Sequence, residues 1–540
     1  MRSLVLKAVL AASLLAVTAC SSAAAEGGSA TGEPVRGGEL TYLDAEIPIS
    51  ALIQEQGTWQ DRALFWNITD RLLHRNAETG ELEPWIAESW KVSADGLRYD
   101  FVIRDGVTYS DGSPLDVASV QRNLTRQIFG DQQKALAKNF AFPAEGEITT
   151  EPASRTVTVQ LKKPWAPFLG ALTGWAAGLV DDSVFGLTRE QQSEYRNLVG
   201  SGPFVVESVE YGKSYVLKRR PGYAWAPKSS PNQGEAYLDK ITVIPVQEDS
   251  VRLGTLRSGQ ADLLRYVQPS EEKSLGAQGF TVVARSGVGL TNQWPLRQNV
   301  WPGDDVNVRK ALQIGIDRDR IIKDLYTGNW SAATGVLSPG TLGYTDASAQ
   351  LAYDKDKAGQ LLDQSGFTAR DAEGYRTKDG RRLKLRTYVD VYDSTAKALF
   401  QHAQAQVKEL GIELEIDETD YGSYSRTVTA DPLVNFTRSG WPHPDPAHGL
   451  WNNYASGRAD QLKLKGADAK LEQLLDRSLH ATSVEAEQAA LAETQKYLLD
   501  NALTIPILND TQVYVGAKDL QGFSLSDGGL PNYQRAWLNR

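Results

Sequence analysis

Two histidines and an aspartate crowd one proline-rich stretch, Trp441-Pro442-His443-Pro444-Asp445-Pro446-Ala447-His448. Two imidazoles and a carboxylate so close in sequence could ligate a divalent cation. The plainer reading is a stiff loop in which His443 and His448 have unrelated duties. Elsewhere the chain is poor in reactive groups, with five histidines and one cysteine among 540 residues. Gly212-Lys213-Ser214 has the end of a phosphate-binding loop, but Glu207 stands where that loop needs its first glycine. Neither a His-Glu-x-x-His zinc helix nor a Gly-x-Ser-x-Gly nucleophile elbow occurs. No catalytic set assembles and no cofactor is called for. The chain is expected to bind rather than to turn over, with a secreted hydrolase as the reading from another class.

The single cysteine, Cys20, closes the run MRSLVLKAVLAASLLAVTAC. Arg2 and Lys7 give it a basic start, and the apolar part is shorter than the ~20 residues a bilayer span needs. It suits a cleavable export signal over residues 1–19. Val17-Thr18-Ala19-Cys20 resembles a bacterial lipobox, which implies that Cys20 becomes an acylated N-terminus. Two or more acyl chains anchor stably where one does not. The small, polar residues that follow, up to about residue 35, cannot bury enough apolar surface to order themselves and read as a tether. The expected location is the outer face of a bacterial plasma membrane, held by lipid alone.

Composition narrows the partners. The formal charge is -10, and loss of Arg2 and Lys7 makes the exported body more acidic still. An acidic body excludes nucleic acid as a natural partner. Without a second cysteine there is no internal disulfide. The length supports two or three domains with large cores.

The elements that would position a site read as mixed α/β. Glu39 to Leu43 is a first buried strand. Asp95-Gly96, Asp105-Gly106 and Asp111-Gly112 mark turns. Between the first two, Leu97, Tyr99, Phe101 and Ile103 alternate with polar or exposed positions, the period of a half-buried strand. Residues 155–161 alternate likewise, so 76–200 reads as a small strand-rich subdomain with helices near 117–129 and 189–198. Further on, a strand at 383–391 precedes a helix capped by Ser394. That helix carries Ala396, Leu399, Ala403, Val407 and Leu410 on its apolar face and ends at Gly411, ahead of a strand at 412–416. Strand, helix, strand with short links implies a parallel pair. Thr482 with Glu485 forms a capping box for a helix reaching about residue 499.

Several segments in order then resemble one family. Glu83-Pro84-Trp85-Ile86-Ala87-Glu88-Ser89-Trp90 precedes Tyr99-Asp100-Phe101-Val102-Ile103-Arg104-Asp105-Gly106-Val107, running on through Ser110-Asp111-Gly112. Gly200-Ser201-Gly202-Pro203-Phe204, Ser258-Gly259-Gln260-Ala261-Asp262, Val308-Arg309-Lys310-Ala311-Leu312 with Ile316-Asp317-Arg318, and Tyr353-Asp354 through Gly366-Phe367 follow. Together they resemble the family 5 extracellular solute-binding proteins of ABC importers, which serve peptides, nickel chelates, opines and some oligosaccharides. The resemblance implies a type II periplasmic-binding-protein-like fold: two α/β lobes joined by a hinge, with an extra strand-rich subdomain on lobe one. It implies lobe one at 36–75, 201–289 and 504–540, the subdomain at 76–200 and lobe two at 290–503, with chain crossings near 289–291 and 502–504. The implied partners are a small-molecule or peptide ligand and the membrane permease subunits, for a monomeric carrier. A receptor lipoprotein on the same fold is a further alternative.

The ligand-contact expectations rest on the same likeness. Arg438-Ser439-Gly440-Trp441 is similar to an R-A-G-W segment that lines the cavity of oligopeptide-binding members. In those members an aspartate soon after the tryptophan pairs with the peptide ammonium. Here Asp445 follows a shorter, proline-rich run that departs from the pattern. Asn292 and Trp294 follow the implied hinge strand. Asp44 and Glu46 follow the first strand, where the family sends a loop into the cleft. Tyr392 ends the strand before the crossover helix, and such ends point into clefts. Trp85, Trp90 and Trp537 are expected in cores.

Overall fold

The computed structural model describes residues 32–52, 54, 57–139, 141–143, 145–390, 393–440, 445–456 and 468–540. The expected signal, Cys20 and the tether up to residue 31 lie outside the described residues, as do Tyr392, Trp441 and His443.

Lobe one is built on a seven-stranded sheet. Its order is Thr281–Ser286, Thr511–Gly516, Leu263–Arg265, Glu39–Asp44, Lys240–Pro245, Ser214–Arg219, Phe204–Glu210. The central strand Glu39–Asp44 runs parallel to both neighbours, Lys240–Pro245 and Leu263–Arg265. A parallel centre is covered on both faces and so reads as an apolar run. Leu40, Tyr42, Leu43, Leu263 and Leu264 are all buried.

Lobe two contains the crossover unit the sequence announces. Lys384–Asp390 pairs in parallel with Glu413–Thr419 through the helix Ser394–Glu409. All five apolar-face residues of that helix, from Ala396 to Leu410, are buried. Each of the larger ones contributes about 1.5–3 kcal/mol. The cap is Asp393, one residue before the expected Ser394, and its carboxylate accepts from Ala396 N at 2.8 Å. Gly411 has φ +85°, and a Cβ there would lie 2.6 Å from Arg370 and 2.7 Å from Arg376. Likewise Ser483, not Thr482, caps the helix Val484–Asp500.

The chain changes sheets twice. Asn292–Pro295 pairs with Thr504–Asn509, which also pairs with Ser331–Ala332. The very next strand, Thr511–Gly516, belongs to the lobe-one sheet. The second change of sheet therefore falls at Asp510 rather than at 502–504, because the fully buried Thr504–Asn509 finds its partners in the hinge sheet.

The subdomain sheet runs Ala87–Val92, Arg98–Ile103, Thr156–Leu161, Gly146–Glu151, all antiparallel, with helix Val117–Phe129 packed on it. Phe101, Tyr109, Val157 and Phe168 centre its core. The helix expected at 189–198 splits into Arg189–Gln192 and a single turn, Tyr195–Asn197. Tyr195 is drawn inward, where its hydroxyl donates to Ser50 O and to Asp61. Trp85 and Trp537 are core residues as expected, and Trp90 packs half-buried against the subdomain core.

Candidate functional site: the crevice between the lobes

Ligand crevices in open α/β sheets form at the carboxyl ends of parallel strands. Here two such edges meet. Asp44 and Arg265 end neighbouring parallel strands of lobe one, and Asp390 ends a parallel strand of lobe two. Glu46 lies within electrostatic reach of both Arg265 of lobe one and Asp390 of lobe two. Its carboxyl is held above the usual range, first by burial and then by Asp44 and Asp390, with Arg265 opposing.

On the lobe-one side, Asp44 is 1% exposed and bonded within its own lobe. It accepts from Ala45 N at 2.7 Å, Gln60 Nε2 at 3.2 Å and the Tyr42 hydroxyl at 2.5 Å. It buttresses the exit of the first strand, while Glu46 stands exposed at the rim. Beside it the guanidinium carbon of Arg265 lies 4.2 Å from the Trp59 ring centroid and 4.1 Å from that of Tyr266. Tyr266 itself has φ +58° and is 45% exposed.

On the lobe-two side, Arg438 Nη1 meets Asp393 Oδ2 at 2.5 Å with its side chain 35% exposed. Burial lowers and Asp393 and Asp510 raise its pKa, and the acids prevail. Burial holds the Asp510 carboxyl above its ordinary value, against the pull of Arg438. Asn292 Nδ2 donates to Asp510 Oδ1 at 3.1 Å, which ties the two hinge strands together, and Asn292 Oδ1 is buried without a partner among the described residues. Ser439 exchanges backbone hydrogen bonds with Gln293 at 2.7 and 2.8 Å and donates from Oγ to Asn453 at 2.8 Å. Gly440 explains the residue type in that segment. At φ +148° a Cβ would stand 2.5 Å from Thr291 O, so only glycine lets this backbone lie against the hinge.

Two expectations are corrected. Trp294 does not line the crevice: it is 1% exposed, its ring 5.2 Å from that of Phe436 and 5.0 Å from that of Phe400. Its strand is buried on both faces, and alternation cannot tell a wall from a core there. Asp445 is 5% exposed and serves as N-cap of the helix Pro446–Tyr454, accepting from His448 N at 3.0 Å. Its charged neighbours are Arg75 and Glu487, a group separate from Arg438, Asp393 and Asp510. Burial lifts the carboxyls of both Asp445 and Glu487, and Asp445 raises Glu487 further. His448 is fully buried, packed against Trp165 and Trp451. Among the described residues no three His, Cys, Asp or Glu side chains stand close enough to hold a metal ion.

A second contact closes the flank. Glu272, 2% exposed on lobe one, accepts from Thr327 Oγ1 at 2.6 Å, Asn329 Nδ2 at 2.9 Å and Trp330 Nε1 at 3.1 Å on lobe two. Ile322, Tyr326 and Trp330 line a pocket of about 610 Å³ beside it.

With this geometry in place, residues 81–461 match the model of bacterial extracellular solute-binding proteins, family 5 Middle. The chain belongs to that family. This family 5 protein is 25% identical to the glutathione-binding protein GsiB of Salmonella paratyphi A over 449 residues, 81% of this chain and 82% of the relative. Its fold superposes on NikA from Brucella suis, solved with Fe(III)-EDTA, with a TM-score of 0.80 at 22% identity over 93% of this chain and all of the other. DppA from Helicobacter pylori, solved with the peptide STSA, gives 0.75 at 20% identity over 94% and 99%. These likenesses establish a two-lobed solute-binding protein of the ABC-importer type.

Of the side chains that ring the crevice, the sequence reading missed Arg265, Asp390, Asp393 and Asp510, and it missed Glu272 on the flank. Arg265 had a signal: a cation directly after the buried pair Leu263-Leu264 marks a strand end. The others depend on contacts between segments 45 or more residues apart in the chain.

Proposed function

We propose that this protein is the lipid-anchored capture subunit of an ABC importer, taking up a peptide or similarly sized organic solute by hinge closure. Cys20 is its acylated N-terminus on the outer face of the plasma membrane, and a monomer presents the loaded, closed form to the permease. Lobe one comprises about 36–75, 201–289 and the chain after Asp510; the subdomain is 76–200; lobe two is the remainder. The observation that carries the reading is the contact of the lobes beside these strand ends: Glu272 of lobe one accepts from Thr327, Asn329 and Trp330 of lobe two, and Glu46 lies within electrostatic reach of Asp390. A solute touching both edges is bound fully only when the lobes are together, so binding shifts the population toward closure. The glutathione-binding relatives and the peptide-bound neighbour support a peptide-like solute. No covalent step is required.

Two measurements test this. Calorimetry with a peptide library should give saturable 1:1 binding without product formation; product release would indicate a hydrolase. Metabolic labelling with a fatty acid should mark the wild-type chain and not Cys20→Ala, which should be released from the cell. Equal retention of both would remove the anchor.

A further inference from the structure

The strand-rich subdomain, 76–200, carries none of the crevice charges, yet it reaches lobe two. Trp165 makes the contact. Half-buried, it packs against the subdomain core on one side and against the lobe-two core on the other. Toward lobe two its ring meets Trp451 edge to face, with centroids 6.5 Å apart at 83°, and His480 at 5.9 Å and 74°. The ring of His448 lies 6.4 Å away. Next to it Ala166 N donates to Leu479 O at 2.8 Å, a backbone hydrogen bond from the subdomain to lobe two. A turn of the subdomain comes equally close: a Cβ built on Gly96 would stand 3.6 Å from Thr482 Cα and 3.9 Å from Thr482 Cβ. Farther in, Tyr99 is within electrostatic reach of Glu487.

The geometry suits a contact that is made and broken. The hinge strands Asn292–Pro295 and Thr504–Asn509 share a backbone ladder. Here, by contrast, loop meets loop. Residues 165 and 166 follow the strand Thr156–Leu161, and residues 479–483 link the helices Ala469–Leu479 and Val484–Asp500. Trp165 is aimed from its own side, since its Nε1 donates to Ala141 O at 3.1 Å within the subdomain. The rest of the ring has no polar atom that needs lobe two. His480 keeps its own bond, Nδ1 to Asp476 O at 2.9 Å. Parting the surfaces therefore strands no charge, and Ala166 N and Leu479 O exchange each other for water. Trp165, Trp451 and His480 are all half-buried, less than a permanent core would leave them.

We propose that the subdomain is a second jaw, and that Trp165 latches it onto the helices Pro446–Tyr454 and Ala469–Leu479 of lobe two when the protein closes. Lobe two is then gripped by lobe one through Glu272 and by the subdomain through Trp165. This rests on the solute-binding reading above and deepens it, by giving the subdomain a part in capture. A contact present in the closed form and lost in the open one favours closure, and apparent affinity scales with the fraction that is closed. The latch engages after the solute is in, so its loss acts chiefly on dissociation. Trp165 touches no solute in this scheme. It is a positioning residue that acts through the lobe it holds.

The test uses the full chain with Cys20→Ser, which removes the only cysteine, and an equimolar tripeptide mixture whose binding is first measured by calorimetry. Gly96→Cys with Thr482→Cys then sets two thiols at the Cβ separation of about 3.5–4.5 Å that a disulfide spans. Under diamide, cross-linking is expected to run about tenfold faster with saturating peptide than without it. Both arms use one variant, so the strain of a side chain at φ +68° is common to them. Equal rates, including no cross-link in either arm, overturn the latch while the capture function stands. Stopped-flow dissociation reads the same contact without cysteines. Trp165→Ala should release the mixture about tenfold faster with association changed by less than about twofold, and Trp165→Phe should recover part of the loss. Because Trp165 also packs in the subdomain core, His480→Ala probes the contact from lobe two. It should speed release about threefold in the wild-type background and not in Trp165→Ala. Additive effects, or unchanged release, overturn the latch. Absence of any calorimetric binding overturns both this inference and the capture function it rests on.

Discussion

Glu272 and Arg265 are both buried charges where the lobes meet, and they are treated in opposite ways. Glu272 is finished: three donors from lobe two complete it within the protein. Arg265 is not: its Nε and Nη1 are buried without a hydrogen-bond partner among the described residues. The difference separates two duties of a closing protein. A contact completed by protein groups alone stabilises the closed form whether or not a guest is present. A contact that only a guest can complete makes closure depend on occupancy. A carrier needs some of the first kind, so that closure is reachable, and enough of the second, so that it is not the resting state.

If the packed regions govern stability and the open crevice governs affinity, mutations should sort accordingly. The largest effect is expected at Trp294. Trp294→Ala empties a core site between Phe400 and Phe436 and should lower unfolding stability by about 3–5 kcal/mol, with the dissociation constant of the folded fraction unchanged in calorimetry. A selective loss of affinity at normal stability would return Trp294 to the crevice wall.

Glu272→Ala should come next. It strands the donors of Thr327, Asn329 and Trp330, each such charged hydrogen bond being worth about 1.5–3 kcal/mol. Solute affinity should fall by about 30-fold through a faster off-rate, since the residue lies on the flank. Stopped-flow association and dissociation would separate this from a slower on-rate, which would contradict it.

Arg265→Met should follow. It removes the hydrogen bond to Gln512 and the ring contacts with Trp59 and Tyr266, and should lower unliganded stability by about 1 kcal/mol, read from denaturant melts. A rise in stability would mean that the buried charge outweighs these contacts.

The smallest effect concerns pH. Glu487 is held neutral in the folded protein, first by burial and then by Asp445, with Arg75 opposing and Tyr99 nearby. A carboxyl whose folded pKa is raised binds its proton more tightly in the native state. Its contribution is complete below the unfolded value and is lost as pH rises through the folded value. Stability should decline from about pH 5 upward, and Glu487→Gln should flatten the decline, raising Tm at pH 8 by about 2 °C with no gain at pH 5. A larger gain at pH 5 than at pH 8 would reverse the assignment.

The sequence disclosed what local periodicity controls. The strand at Glu39–Asp44, the alternation through Phe101, the apolar face from Ala396 to Leu410 and the stop at Gly411 all follow from residue types within a few positions. Caps were misplaced by one residue because Asp393 and Ser394, or Thr482 and Ser483, are adjacent residues that can all serve. The site was harder. Its charges come from strand ends at residues 44, 265, 390 and 510, which no sequence window contains together. Trp294 and Asp445 look like recognition groups by type, yet Trp294 fills a core against Phe400 and Phe436 from distant segments, and Asp445 caps the helix that begins right after it.

The central claim is that the lobes close around a peptide-like guest. Electron spin resonance distance measurement tests it most directly. Labels would sit on cysteines placed at the exposed Val251 of lobe one and Leu433 of lobe two, in the Cys20→Ser chain. The account predicts a shorter distance with a saturating tripeptide mixture than without it. An identical distance distribution with and without peptide, under conditions where calorimetry shows saturation, would contradict it.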